Sequence, residues 1–83
     1  MNYEVEFRPR AVKDFDALPL DVGRRILAKI ERMRIGLAGD VKRLTNHSPE
    51  YRLRVGDYRV LFTIAEGRIL IYRILHRREA YDG

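Results

Sequence analysis

Cysteine is absent from the 83 residues, which excludes a disulfide scaffold and any thiolate metal site. No apolar run approaches the roughly 20 residues that a membrane-spanning helix needs. The N-terminus, Met1 to Arg10, is charged within a few residues and lacks the apolar core of a secretory signal. A soluble, cytoplasmic protein without a membrane partner is the expectation. No repeat, low-complexity tract or linker interrupts the chain, so residues 1–83 read as a single small domain. Such a domain has room for one core and none for a separate cofactor unit. Histidine occurs twice and no acidic cluster stands at ligand spacing, so neither a metal nor another cofactor is expected.

Arginine, by contrast, is abundant. It supplies 14 of the 17 basic residues, against 12 acidic ones, and leaves a net charge of +5. That balance favours a polyanionic partner, either nucleic acid or an acidic protein. The guanidinium group is a planar fork that matches phosphate and stacks on bases, so the excess points toward phosphate contact.

The arginines concentrate in one patterned stretch, Tyr51 to Phe62, YRLRVGDYRVLF. Apolar and basic residues alternate on both sides of Gly56-Asp57, which predicts two strands joined by a two-residue turn with glycine first. That turn sets Val55 opposite Tyr58, Arg54 opposite Arg59 and Leu53 opposite Val60. Directly opposed residues share a face, so Arg52, Arg54 and Arg59 fall together, away from the apolar side. Like charges placed opposite each other cost a few tenths to about 1 kcal/mol. Two readings follow: a solvated face with its arginines splayed apart, or a face that meets an anion.

The flanking segments supply the rest of a fold. Residues 2–8 alternate as a half-buried strand. Pro9 suits the first turn of a short helix carrying Ala11, Phe15 and Leu18 on one side, closed by Pro19. Asp21 is a candidate N-cap for a longer helix with an apolar stripe at Val22, Ile26, Ile30, Met33 and Leu37, ended by Gly36 and Gly39. The short link predicts an antiparallel helical pair, and Met33 is core rather than a ligand. Asp40 to Glu50 reads as a loop with Lys42, Arg43 and His47 exposed. After a turn at Glu66-Gly67, Arg68 to Leu75 is an apolar central strand. A two-residue loop there would direct Arg73 to the core, whereas a longer loop with a bulge moves it to the arginine face. The longer loop is preferred because it avoids burying Arg73. The expected fold is α+β, in the order β-α-α-β-β-β: an antiparallel sheet, made of the N-terminal strand and a three-strand C-terminal meander, packed on a helical hairpin. Its open face would carry Arg52, Arg54 and Arg59, with Arg77, Arg78 and Tyr81 arriving at the end of the last strand. Such a face suits single-stranded RNA.

Four segments carry a resemblance to a known family. They are AVKDFDAL at Ala11 to Leu18, VKRL at Val41 to Leu44, YRLRVGDYRVLF, and the terminal HRREAY at His76 to Tyr81. Together they make the sequence resemble, nearly end to end, the RelE/ParE superfamily of bacterial toxins from toxin–antitoxin pairs, and within it the RelE branch. The resemblance implies a ribosome-dependent endoribonuclease that enters the A site and cuts mRNA there. In that chemistry the ribose 2′-hydroxyl attacks the adjacent phosphate without a metal. It also implies a cognate RelB-like antitoxin, encoded by a neighbouring gene, that wraps the toxin. Carried over by position, the implied catalytic residues are Arg52, Arg54, Arg59, Arg77 and Tyr81. Lys42, Arg43, Arg73 and Arg78, basic residues of the loop and of the last strand and its end, are the expected RNA contacts. Phosphoryl transfer needs in-line positioning and stabilisation of charge on the phosphate oxygens, which arginine forks supply.

One departure bears on mechanism. Some members of the branch carry lysines where Arg52 and Arg54 stand, and one of these is assigned as general base. Arginine does not deprotonate in proteins. The groups that could take a proton are then His76 and Tyr81, unless the arginines act by electrostatics alone. A non-enzymatic DNA gyrase poison of the ParE kind remains the alternative function, and an inactive RNA-binding or antitoxin-titrating relative is a third, since fold alone does not decide function.

Overall fold

A computed structural model describes residues 2–79; Tyr81 lies outside the described residues. The elements run β1 (Glu4–Phe7), α1 (Pro9–Asp16), α2 (Leu20–Met33), β2 (Val41–Arg43), β3 (Tyr51–Val55), β4 (Tyr58–Ala65) and β5 (Arg68–His76). The α+β class and the order of its main elements are as expected. The five strands form one sheet in the order β1-β5-β4-β3-β2.

Alternation in the sequence builds the centre of this sheet. The β3–β4 register pairs Val55 with Tyr58, Arg54 with Arg59 and Leu53 with Val60, as the two-residue turn requires. Gly56 takes φ +56° there, a left-handed conformation that costs glycine little. The apolar side of this hairpin meets the helices. Ile26, Ile30 and Met33 of α2 and Ala11 of α1 enclose Leu53, Val55, Val60, Phe62, Ile69, Ile71 and Ile74, none more than 4% exposed. Three residues join the helices, and the Phe15 ring of α1 lies against Gly23 of α2.

Five details differ from the sequence reading. The N-terminal strand joins the sheet parallel to β5, with Glu4 beside Arg68 and Phe7 beside Ile71, so the sheet is mixed. The two helices carry the chain from β1 across the sheet to β2 at the opposite edge, and β3 and β4 return it to β5 beside β1. Val41–Arg43, read as loop, is a short strand antiparallel to β3. Three residues carry too little alternation to announce a strand; the exposed edge of β3 recruits them. Asp21 does not cap α2: the helix starts at Leu20, after Pro19, and Asp21 lies in its first turn, where its charge suits the positive end of the helix dipole. The helix stops at Met33, and Leu37, at φ +57°, reaches the core from the following turn. Finally, the β4–β5 turn has only two residues, Glu66 and Gly67, both at positive φ. The extra residue lies inside β5 instead. Phe62 pairs with Ile71 and Leu61 with Arg73, so Tyr72 is bulged out of register. The bulge, not a longer loop, turns Arg73 away from the core.

Candidate functional site

The open side of the sheet is assembled in two transverse rows. One row reads Lys42, Arg52, Leu61, Arg73 across β2, β3, β4 and β5; the next reads Arg54, Arg59, Leu75 across β3, β4 and β5. Leu61 is only 5% exposed although it stands outside the main core. Its neighbours across the ladder are arginines, whose aliphatic stems can cover an apolar group while their heads stay in water. Toward β1 the same face changes character. Glu6 there lies 2.9 Å from Arg8 and 3.8 Å from Arg68. The uncompensated positive charge is therefore gathered at the β3–β4 turn.

The arginines of this region are held to different degrees. Arg52, with its side chain 18% exposed, donates to the Asp40 carbonyl at 3.0 Å and to Asp40 Oδ1 at 3.2 Å. Arg59 curls its Nη1 onto the carbonyls of Gly56 at 3.1 Å and Tyr58 at 3.2 Å. Arg77 is drawn to the same turn. Its backbone N–H donates to the Asp57 carbonyl at 2.6 Å, and its Nε lies 3.9 Å from Asp57 Oδ1. Arg54 is exposed, and its guanidinium has no partner among the described residues. Arg54, Arg59 and Arg77 thus gather at one tight turn, with Arg25 Nη1 of α2 also close to Gly56, and among the described residues the carboxylate paired with this group is the exposed Asp57. An anion arriving here meets one unengaged fork, Arg54, and two whose present contacts are neutral carbonyls or a long ion pair.

The other expected residues are distributed less uniformly. Lys42 and Arg43 are exposed on β2, at the sheet edge, with Arg43 3.9 Å from Glu50. Arg78 is exposed beyond β5. Arg73, placed by sequence among the RNA contacts, has its fork on Asp14, at 2.7 Å from Nε and 3.3 Å from Nη2. His76 does not join the arginines. It is paired with Tyr58 on the helix side of the sheet, the two rings meeting edge to face at 5.2 Å. Its Nδ1 accepts the Arg78 N–H at 3.2 Å, so the neutral ring carries its proton on Nε2. The lone pair that a base would use is already engaged.

Sequence reasoning named the cations and missed their acids: Asp14, Asp40 and Asp57. Asp14 is the best placed of these, its side chain 14% exposed. Burial by itself would raise its affinity for a proton. The hydrogen bonds from Arg73 and the Ile74 N–H, with the charges of Arg73 and Arg10, outweigh burial and hold the carboxyl below its ordinary value. Its place within AVKDFDAL was the one available signal.

Two helices against one side of a five-stranded mixed sheet, with a basic β3–β4 turn, are an architecture shared with solved toxins of toxin–antitoxin pairs. The family model for the ParE toxin of type II toxin–antitoxin systems matches residues 5–81. The chain is 32% identical over 84 residues to Toxin RelE3 of Methanocaldococcus jannaschii, covering 95% of this chain and 96% of that protein. The RelB–RelE antitoxin–toxin complex from Methanococcus jannaschii superposes with a TM-score of 0.75 at 31% identity, over 92% of this chain and 94% of the matched one. The archaeal RelE–RelB complex from Pyrococcus horikoshii gives 0.76 at 28% identity, over 96% and 100%. The chain belongs to the RelE/ParE family of type II toxin–antitoxin toxins, and it is RelE-like within it.

Proposed function

We propose that this chain is a ribosome-dependent mRNA endoribonuclease, the toxin of a pair whose other member is a RelB-like antitoxin. The observation that carries the reading is Arg54, without a partner among the described residues, directly across the ladder from Arg59 on the face turned away from the core. Placing two cations in register costs stability, and a phosphate between them would remove that cost. In the A site the 2′-hydroxyl of one nucleotide attacks the adjacent phosphorus. The P–O5′ bond breaks, leaving a 2′,3′-cyclic phosphate and a 5′-hydroxyl. Arg54, Arg59 and Arg77 stabilise the charge that builds on the non-bridging oxygens, and Arg52 holds the strand beside them. The 2′-hydroxyl proton leaves to solvent, its acidity raised by the same cations, and the departing 5′-oxygen takes a proton from solvent; Tyr81 positions the nucleobase. Lys42, Arg43 and Arg78 contact flanking phosphates.

The test is cleavage of mRNA on programmed ribosomes with mapping of the new 5′ ends. Wild-type protein should cut within the A-site codon, and Arg54→Ala should cut at least about 100-fold more slowly. Absence of cleavage by the wild-type protein would sink the reading. The antitoxin partnership is supported by the RelB–RelE complexes among the similar structures. Co-expression of the acidic reading frame beside the gene should restore growth.

The family model's own description, a ParE toxin, favours a second reading: a non-enzymatic poison of DNA gyrase. That reading predicts DNA cleavage complexes trapped with purified gyrase and no mRNA scission.

A further inference from the structure

β5 loses its strand neighbour halfway along. The last β1–β5 pair is Phe7 with Ile71, and the Arg8 N–H closes the ladder on the Ile71 carbonyl at 2.8 Å. The chain then turns into α1, and β5 continues to His76 with no strand partner on that edge among the described residues. The bulge at Tyr72 falls at this same point, so the ladder is weakest where its neighbour ends. Asp14 of α1 meets it there. Its Oδ2 accepts both Arg73 Nε at 2.7 Å and the Ile74 N–H at 2.9 Å, and its Oδ1 accepts Arg73 Nη2 at 3.3 Å. A single carboxylate thus satisfies a backbone donor that a strand would otherwise take, and grips the side chain next to the bulge.

The stakes are set by the period of a strand. A one-residue slip moves every side chain to the opposite face. Without the bulge, Arg73 would point into the core and Ile74 out of it. In the observed register Leu75 stands opposite Arg59 and His76 opposite Tyr58, and the next residue, Arg77, reaches the Asp57 carbonyl. We infer that Asp14 is a positioning residue, which stands in for the missing strand, holds the post-bulge register of β5, and so seats Arg77 at the β3–β4 turn. Its hydrogen bonds go to Arg73 and the Ile74 N–H and not to Arg52, Arg54, Arg59 or Arg77, so it acts on the turn through β5. Arg73 is correspondingly a strut rather than an RNA contact. For its effect on cleavage the inference rests on the nuclease reading above; for the seating of Arg77 it does not.

The experiment has two arms. Amide hydrogen exchange is followed at Ile74 and Arg77, with Ile30 in α2 as an internal reference. In folded Asp14→Ala, protection at Ile74 and Arg77 should fall at least about tenfold more than at Ile30, because the loss is local and not global. A purely stabilising ion pair would lower all three together, and that outcome overturns the inference. Asp14→Asn keeps one acceptor oxygen in the same shape and should fall between wild type and alanine. If the alanine protein does not fold, the asparagine protein decides alone: wild-type protection at Arg77 overturns the inference. The second arm is single-turnover cleavage. Asp14→Ala should lose about tenfold or more in rate at saturating ribosomes with an unchanged half-saturating concentration, as for a misplaced group rather than a lost binding contact. If the wild-type protein does not cleave at all, the nuclease reading fails, and the exchange arm still decides the role of Asp14.

Discussion

Arg54 and Arg73 lie on the same side of one sheet, separated only by β4, and they have opposite surroundings. Arg54 has a cation across the ladder and no partner among the described residues. Arg73 has Leu61 across the ladder and a carboxylate gripping both ends of its fork. The residue type and the alternating pattern are the same. What differs is that the chain leaves β1 into a helix passing the β5 edge, and that helix brings an acid. An arginine in this fold is left open or tied down according to which neighbour the topology supplies.

The comparison can be broken in several ways, the largest effect coming from the shared core beneath both regions. Ile30→Ala empties a fully buried site against the sheet and should cost about 2–5 kcal/mol. Its denaturation midpoint should drop sharply; a midpoint near wild type would show that the stripe does not support the sheet. Arg59→Ala should act in the opposite sense, leaving the midpoint almost unmoved and slowing cleavage about 100-fold, or about 2.7 kcal/mol of transition-state stabilisation. Full growth inhibition by the folded variant would remove Arg59 from the site.

The pH dependence of stability should isolate the strut. The Asp14 carboxyl is depressed in the folded chain below its ordinary value of 3.8. Its contribution is therefore fully present above that value and disappears as pH falls through the lower, folded-state one. The stability gap between wild type and Asp14→Asn should hold from pH 7 to about 5 and narrow on further acidification. A gap independent of pH would mean that the charge of Asp14 contributes nothing. The smallest effect is expected at His76. Loss of a general base costs about 10²–10⁴-fold, but His76 faces the helices and its Nδ1 is engaged, so His76→Gln should change the single-turnover rate less than about threefold. A flattened pH–rate limb in that variant would return His76 to the chemistry.

These contrasts mark how far the residues alone could speak. The β3–β4 hairpin was legible pair by pair because turn, alternation and charge all sit within twelve contiguous residues. The apolar stripe of α2 was legible for the same local reason, through Met33. The strand at Val41–Arg43 was not, because its pairing depends on β3, ten residues away, and not on its own pattern. The parallel placement of β1 required knowing which edge β5 would leave open. Arg73 was assigned to the right side of the sheet by an argument against burying charge, but its partner lies 59 residues earlier, and nothing local names it. His76 was read by its neighbours in the terminal motif, Arg77 and Tyr81, whereas the register turns it to the other face.

Leu61 carries a practical consequence. It is sealed by its neighbours on a face otherwise given to water, so those arginines also act as a lid over an adhesive spot. Stripping several of them to alanine in order to obtain a harmless protein would uncover it and invite self-association. Exchanging the same residues for glutamine removes the charge but leaves much of the stem in place. For preparing an inert, monodisperse form of this toxin, glutamine is the better substitution, and light scattering of the two versions side by side would register the difference.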